Sequence, residues 1–337
     1  MLIYRNRCKV YEVEGAGRIK VDWREFQPAE TTPSNRTIIF LPGWGFNEHA
    51  EATVSLCQAF TDYSHDTTYA VDTRAEQIVP HTLLFEAEAS RRFINEKGIK
   101  NAVVVAHSLA GGQAGELIAL LQERNRDILI DGLILLDSMA LYDQTIGEFV
   151  RNYLREMRNQ RAGLKHLPQF KGSEDLQTQN NRFLREGLLE VLSEIMHSHV
   201  QFPHRLLNEI QEMIKTNPSL GHIEVPIVLV HGAHDMLSQP ACIIPYQGRP
   251  QISGRPYTEG LQQDIGNERE EFLRNSLFHK SPYIRMVVPE KAGHHGLSSL
   301  RPQSVARSSL YLLERYKRQQ ISAVVELHEE TGKCPTK

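Results

Sequence analysis

Short runs of apolar and β-branched residues, each followed by a helical pattern, punctuate most of this 337-residue chain. They fall at Thr37–Leu41 and at residues 68–71, 102–105, 133–136, 226–230 and 284–288. A strand that reads as a continuous apolar run is buried on both faces, which calls for helices above and below a largely parallel sheet. Helical spacing is plainest in Phe85, Ala89 and Phe93, stopped by Gly98, and in Ala110, Ala114, Leu117, Ile118 and Leu121. The expected fold class is therefore α/β, a mostly parallel twisted sheet flanked by helices. The opening departs from this rhythm. Residues 10–13 and 19–23 flank Glu14-Gly15-Ala16-Gly17 and read as an antiparallel hairpin at the sheet edge.

From 140 to 220 the strand patterns stop and three amphipathic stripes replace them. The first carries Ile146, Phe149, Val150, Tyr153, Leu154 and Met157, the second Leu184, Leu188, Val191, Leu192 and Ile195, and the third Leu206, Leu207, Ile210, Met213 and Ile214. Such stripes are packing faces. The chain thus divides into a first core part (1–139), a helical insertion (140–220), a second core part (221–317) and a polar tail (318–337). A loop over 238–282 holds Gly248-Arg249-Pro250 and Gly254-Arg255-Pro256, whose arginines read as solvated surface charge.

With 40% hydrophobic and 23% charged residues the chain has enough apolar material for a globular core. A net charge of -3, with basic residues scattered among acidic ones, gives no nucleic-acid surface. No apolar run approaches the roughly 20 residues that span a bilayer. The four cysteines, Cys8, Cys57, Cys242 and Cys334, are widely spaced and read as free thiols. The start carries arginines before an apolar run can develop, so the expected location is cytoplasmic. Oligomeric state stays open.

Chemistry concentrates in loops that follow the strand runs. Ser108 lies between a buried strand and an amphipathic helix, in Ala106-His107-Ser108-Leu109-Ala110-Gly111-Gly112. A serine hydroxyl needs a base, a group that orients the base, and donors for the oxyanion. So sharp a turn also needs small residues two before and two after the serine, which Ala106 and Ala110 provide. His107 is too close in sequence to serve as the base. Leu41-Pro42-Gly43-Trp44-Gly45 follows the third strand, Val230-His231-Gly232-Ala233-His234-Asp235 the seventh, and Glu290-Lys291-Ala292-Gly293-His294-His295-Gly296 the last. His231, His234 and Asp235 have the chemistry to hold zinc or iron, but no further His or Cys completes a recognised ligand pattern. Neither metal nor cofactor is expected.

The serine turn resembles the nucleophile elbow of the α/β-hydrolase family, Gly-x-Ser-x-Gly, with alanine in both glycine places. The order Ser, Asp, His also resembles that family's. The resemblance implies an α/β-hydrolase core with a helical cap between strands 6 and 7. It assigns Ser108 as nucleophile, Asp235 as acid, His294 as base, and the backbone N–H groups of Trp44 and Leu109 as oxyanion donors. Asp137, ending the sixth strand, is the alternative acid, and His295 the alternative base. The activity implied is that of a serine esterase acting through an acyl-enzyme on a small-molecule ester or thioester, small to medium and partly apolar. An acyltransferase, a peptidase and a C–C bond hydrolase can use the same triad. The rival from another class is a non-catalytic ligand-binding or interaction protein on the same fold.

Overall fold

In the computed structural model the described residues are 7–29, 35–43, 50–75, 82–163, 210–212, 214–232, 235, 237, 243, 266–288 and 302–331. The strands are β1 (Arg7–Val13), β2 (Gly17–Phe26), β3 (Thr37–Leu41), β4 (Thr67–Ala75), β5 (Asn101–His107), β6 (Leu129–Leu136), β7 (Ile227–Val230) and β8 (Ile284–Val287). They form one sheet in the order β1-β2-β4-β3-β5-β6-β7-β8. The pairs β1–β2 and β2–β4 are antiparallel and the rest parallel. The N-terminal hairpin turns where the sequence places it, with Ala16 N–H donating to Val13 O at 3.0 Å and Gly15 and Gly17 at φ 84° and 72°.

Strand alternation sends neighbouring residues to opposite faces. Ile39, Leu41, Val104, Leu133, Leu135 and Leu229 join one core, under α2 (Thr82–Glu96) and α3 (Ala110–Arg124). Ile38, Phe40, Val103, Val105, Ile134 and Val228 join the other, under α1 (Glu51–Ser64) and α6 (Pro302–Thr331). Each fully buried side chain of this kind contributes roughly 1.5–3 kcal/mol relative to exposure. The chain runs from β3 to β4 on one side, then returns to place β5 on the other. That reversal opens a crevice beyond the carboxyl ends of β3 and β5, where open α/β sheets place their sites.

Two helices arise where the sequence pattern is mute. In α1 the buried positions are Ala52, Thr53, Leu56, Cys57, Ala59, Phe60 and Thr61, too many of them small or polar to print an apolar stripe. The helix α5 (Gly266–Ser276) lies within the span read as a loop and is largely charged, with Leu273 its one buried apolar anchor among the described side chains. Helix α6 continues beyond Arg318 to Thr331, through residues read as a tail; good helix formers carry it on.

Between β6 and β7 lie α4 (Ile146–Gly163) and a 3₁₀ turn at Pro218–His222. Helix α4 is rotated from the face its apolar residues suggest. Phe149, Asn152 and Glu156 are buried, whereas Val150 is 46% and Leu154 60% exposed. Phe149, Asn152, Tyr153 and Glu156 follow the i, i+3, i+4, i+7 spacing of one helical face. A polar pair within that face hides it from a hydrophobicity reading. The stripe at 184–195 and most of that at 206–214 lie outside the described residues. Among the described residues, no helix is long and apolar enough to cross a membrane.

Candidate active site

Ser108 sits between β5 and α3 with φ 54°, in the left-handed region that a residue with a side chain seldom adopts. That conformation costs roughly 1–2 kcal/mol. The surroundings hold it there: Ser108 N–H donates to Leu136 O at 2.9 Å, and Ser108 O accepts N–H groups of Gly111 at 3.2 Å and Met139 at 2.8 Å. The β6 end thus clamps the turn from the side. Leu109 is the N-cap of α3, with no side chain capping the helix. The positive end of the helix dipole therefore lies beside the serine.

Small residues let three backbones converge. A Cβ placed on Gly43 would come within 2.7 Å of Ser108 Cβ and 2.8 Å of His107 O. A Cβ on Gly111 would meet Ser138 Cβ at 2.7 Å. Neither position can take a side chain without movement. The loop that leaves β3 therefore runs directly against Ser108. Trp44 is the next residue, and it lies outside the described residues, as do His234, His294 and His295.

The two aspartates weighed as alternatives turn out to be neighbours. Asp137 follows β6 at φ 45° and is fully buried, its N–H donating to Val230 O at 2.8 Å. Its Oδ1 accepts Gly232 N–H at 2.7 Å. Asp235, 2% exposed, accepts Leu237 N–H on Oδ1 at 2.7 Å. Ligand atoms of Asp137, Asp235 and the buried His231 all lie within 4.8 Å of one another. Burial raises Asp137 well above the usual carboxylate range, and the Asp235 carboxylate and the Glu156 charge on α4 push the same way against the Gly232 N–H. The three atoms have the chemistry to meet a divalent cation, though one oxygen of each carboxylate already takes a backbone N–H.

Sequence reasoning missed the pairing of Asp137 with Asp235, because it is made by loops far apart in the chain. It also missed Glu156 and Asn152, whose only signal is a polar i, i+4 pair within an amphipathic helix. Beside the elbow, Leu109, Met139, Phe149, Ile214 and Leu237 form a separate apolar cluster, joined by Leu83, Tyr153 and Ile210. Tyr142 Oη and Gln144 Nε2 both donate to Leu237 O at 3.1 Å, tying the loop after β7 to the chain leaving β6. This gives the serine turn an apolar wall on one side and a buried acidic cluster beyond the ends of β6 and β7.

Comparison with curated protein sequences finds no match. Solved structures match widely at low identity. A probable hydrolytic enzyme from Pseudomonas aeruginosa PAO1 is 15% identical with a TM-score of 0.56, over 92% of this chain and 94% of that one. A thermophilic esterase from Thermogutta terrifontis is 14% identical with a TM-score of 0.52, over 93% and 99%. The enol-lactonase from Burkholderia xenovorans LB400 is 14% identical with a TM-score of 0.53, over 91% and 100%. At such identity the likeness is one of fold. Residues 38–308 match the family model described as the alpha/beta hydrolase family. With most of its length inside that match, and with the sheet order and serine turn set out above, the chain belongs to the alpha/beta hydrolase family.

Proposed function

We propose that this protein is a serine hydrolase that cleaves a carboxylic ester or thioester of a small to medium, partly apolar acid through an acyl-enzyme. The observation that carries the reading is Ser108: a strained, positive-φ serine between strand and helix, with Gly43 pressed against it. Proteins keep such strain where function needs it. That an esterase and an enol-lactonase share the fold agrees with this reaction class.

In the proposed reaction Ser108 Oγ attacks the acyl carbon while His294 takes the hydroxyl proton. Asp235 orients the imidazole and balances its charge. The oxyanion accepts the N–H groups of Trp44 and Leu109. Collapse expels the alcohol or thiol, which leaves with the proton from His294. Water then attacks the acyl carbon as His294 removes its proton, and collapse frees the acid and returns a proton to Ser108 Oγ. His295 is the alternative base. The insertion at 140–220 acts as a helical cap, and the cluster around Leu109 and Phe149 is a dry wall for the acyl chain.

Labelling with a fluorophosphonate probe tests this. The expected result is a covalent adduct on Ser108, lost in Ser108→Ala and strongly reduced in His294→Ala but not in His295→Ala. A folded protein that takes no label overturns the reading in favour of a non-catalytic binding protein.

A further inference from the structure

We propose that Asp137 and Asp235 share a single proton, with neutral Asp137 acting as a positioning residue that donates a hydrogen bond to the Asp235 carboxylate. The role of Asp235 toward His294 rests on the proposed triad; the sharing of the proton does not.

The two acids follow adjacent parallel strands, β6 and β7, and both are buried. Asp137 Oδ1 is taken by Gly232 N–H, while its Oδ2 is buried and accepts from no donor. An ionised oxygen in that state is a costly arrangement, since burial removes water and nothing replaces it. A proton on Oδ2 turns it from an unsatisfied acceptor into a donor, and the neighbouring carboxylate is the natural acceptor. Two carboxylates this close in a dry site do not both ionise.

Among the described residues, the ionisable groups that face Asp137 are Asp235 from the loop after β7, Glu156 from α4, and the His231 imidazole just after β7. The two acids both disfavour a charge on Asp137. The residue is also fixed in place, by its N–H on Val230 O and by Gly232 on its carboxyl. A neutral Asp137 leaves one negative charge in the pair, on Asp235, and in the proposed triad that charge is the one that orients the base. The hydrogen bond takes the place of the water that an exposed acid would use.

Infrared difference spectra of the full-length protein, wild type minus Asp137→Asn, test the proposal at neutral pH. The expected result is the C=O band of a neutral carboxylic acid in the wild type and its absence from the variant. Asparagine suits the backbone at φ 45°, and its amide can donate to Asp235 while its oxygen accepts from Gly232. Asparagine should therefore rescue the ester turnover that alanine loses, with kcat/KM of Asp137→Ala about ten- to a hundredfold below that of Asp137→Asn. No neutral-carboxyl band, an asparagine variant as slow as the alanine one, or stoichiometric zinc, iron or manganese in the purified protein overturns the proposal. If neither variant folds, the wild-type band alone decides, by its presence at neutral pH and its loss on raising the pH. A band without Ser108 labelling sinks the triad and supports the shared proton; labelling without the band does the reverse.

Discussion

Four non-glycine residues among those described adopt positive φ: His65, Ser108, Asp137 and Ala140. His65 is the C-cap of α1, where a left-handed residue is ordinary. The other three follow β5 and β6, so backbone strain collects at the candidate site. Gly43 shows how tightly these pieces are set. Gly43→Ala should cut the rate of fluorophosphonate labelling about a hundredfold, with an unchanged circular-dichroism spectrum, because its Cβ would drive the β3 loop and Ser108 apart. Labelling at the wild-type rate would show that the two loops do not depend on each other. Part of this scale was legible in the sequence: the small residues around Ser108 follow from the steric demand of the turn, and the segment holding Asp235 stands out by its likeness to the one that carries the family's acid. The contact between Asp137 and Asp235 was not. It depends on which strands become neighbours, and local sequence carries no record of that.

At the scale of elements, legibility followed side-chain size. The runs that became β3, β5 and β7 are apolar on both faces and could be little else. Helix α3 showed its stripe because Leu117, Ile118 and Leu121 are large. Helix α1 buries alanine, cysteine and threonine against α6 and so left no stripe. Helix α4 offers a direct test of which face turns inward. Phe149→Ala should lower the unfolding free energy by about 3 kcal/mol or more in urea titrations. Leu154→Ser should stay within about 0.5 kcal/mol, although leucine is the more hydrophobic-looking choice for a core. Equal losses would mean that α4 packs on the face its apolar residues suggest. The same helix puts Glu156 within electrostatic reach of Asp137, so the insertion affects the acid pair as well as the apolar wall.

At the scale of the whole molecule, Glu88 and Asp137 contribute opposite pH slopes. Glu88 is held below its ordinary value because Arg91 and Arg92 outweigh the burial that alone would raise it; its contribution is lost as pH falls through the folded value. Asp137 behaves the other way. Its folded value lies above the ordinary 3.8, so the native state binds the proton more tightly than the unfolded chain. The associated stability is complete below that ordinary value and is lost as pH rises toward the folded one. Urea unfolding across pH should therefore show wild type losing stability relative to Asp137→Asn as pH rises above 3.8. A difference between the two that stays flat with pH would place an ionised Asp137 in the native protein.

The parallel pairing of β6 with β7 also sets a timetable. Chains fold from the N-terminus as they are made, and the clamp on Ser108 comes from Leu136 and Met139, close behind it in sequence. Asp137 must wait for the entire insertion before Val230, Gly232 and Asp235 emerge. A nascent chain can thus shape the Ser108 turn early and still lack the Asp137–Asp235 contact, which forms only when the last third of the protein has docked.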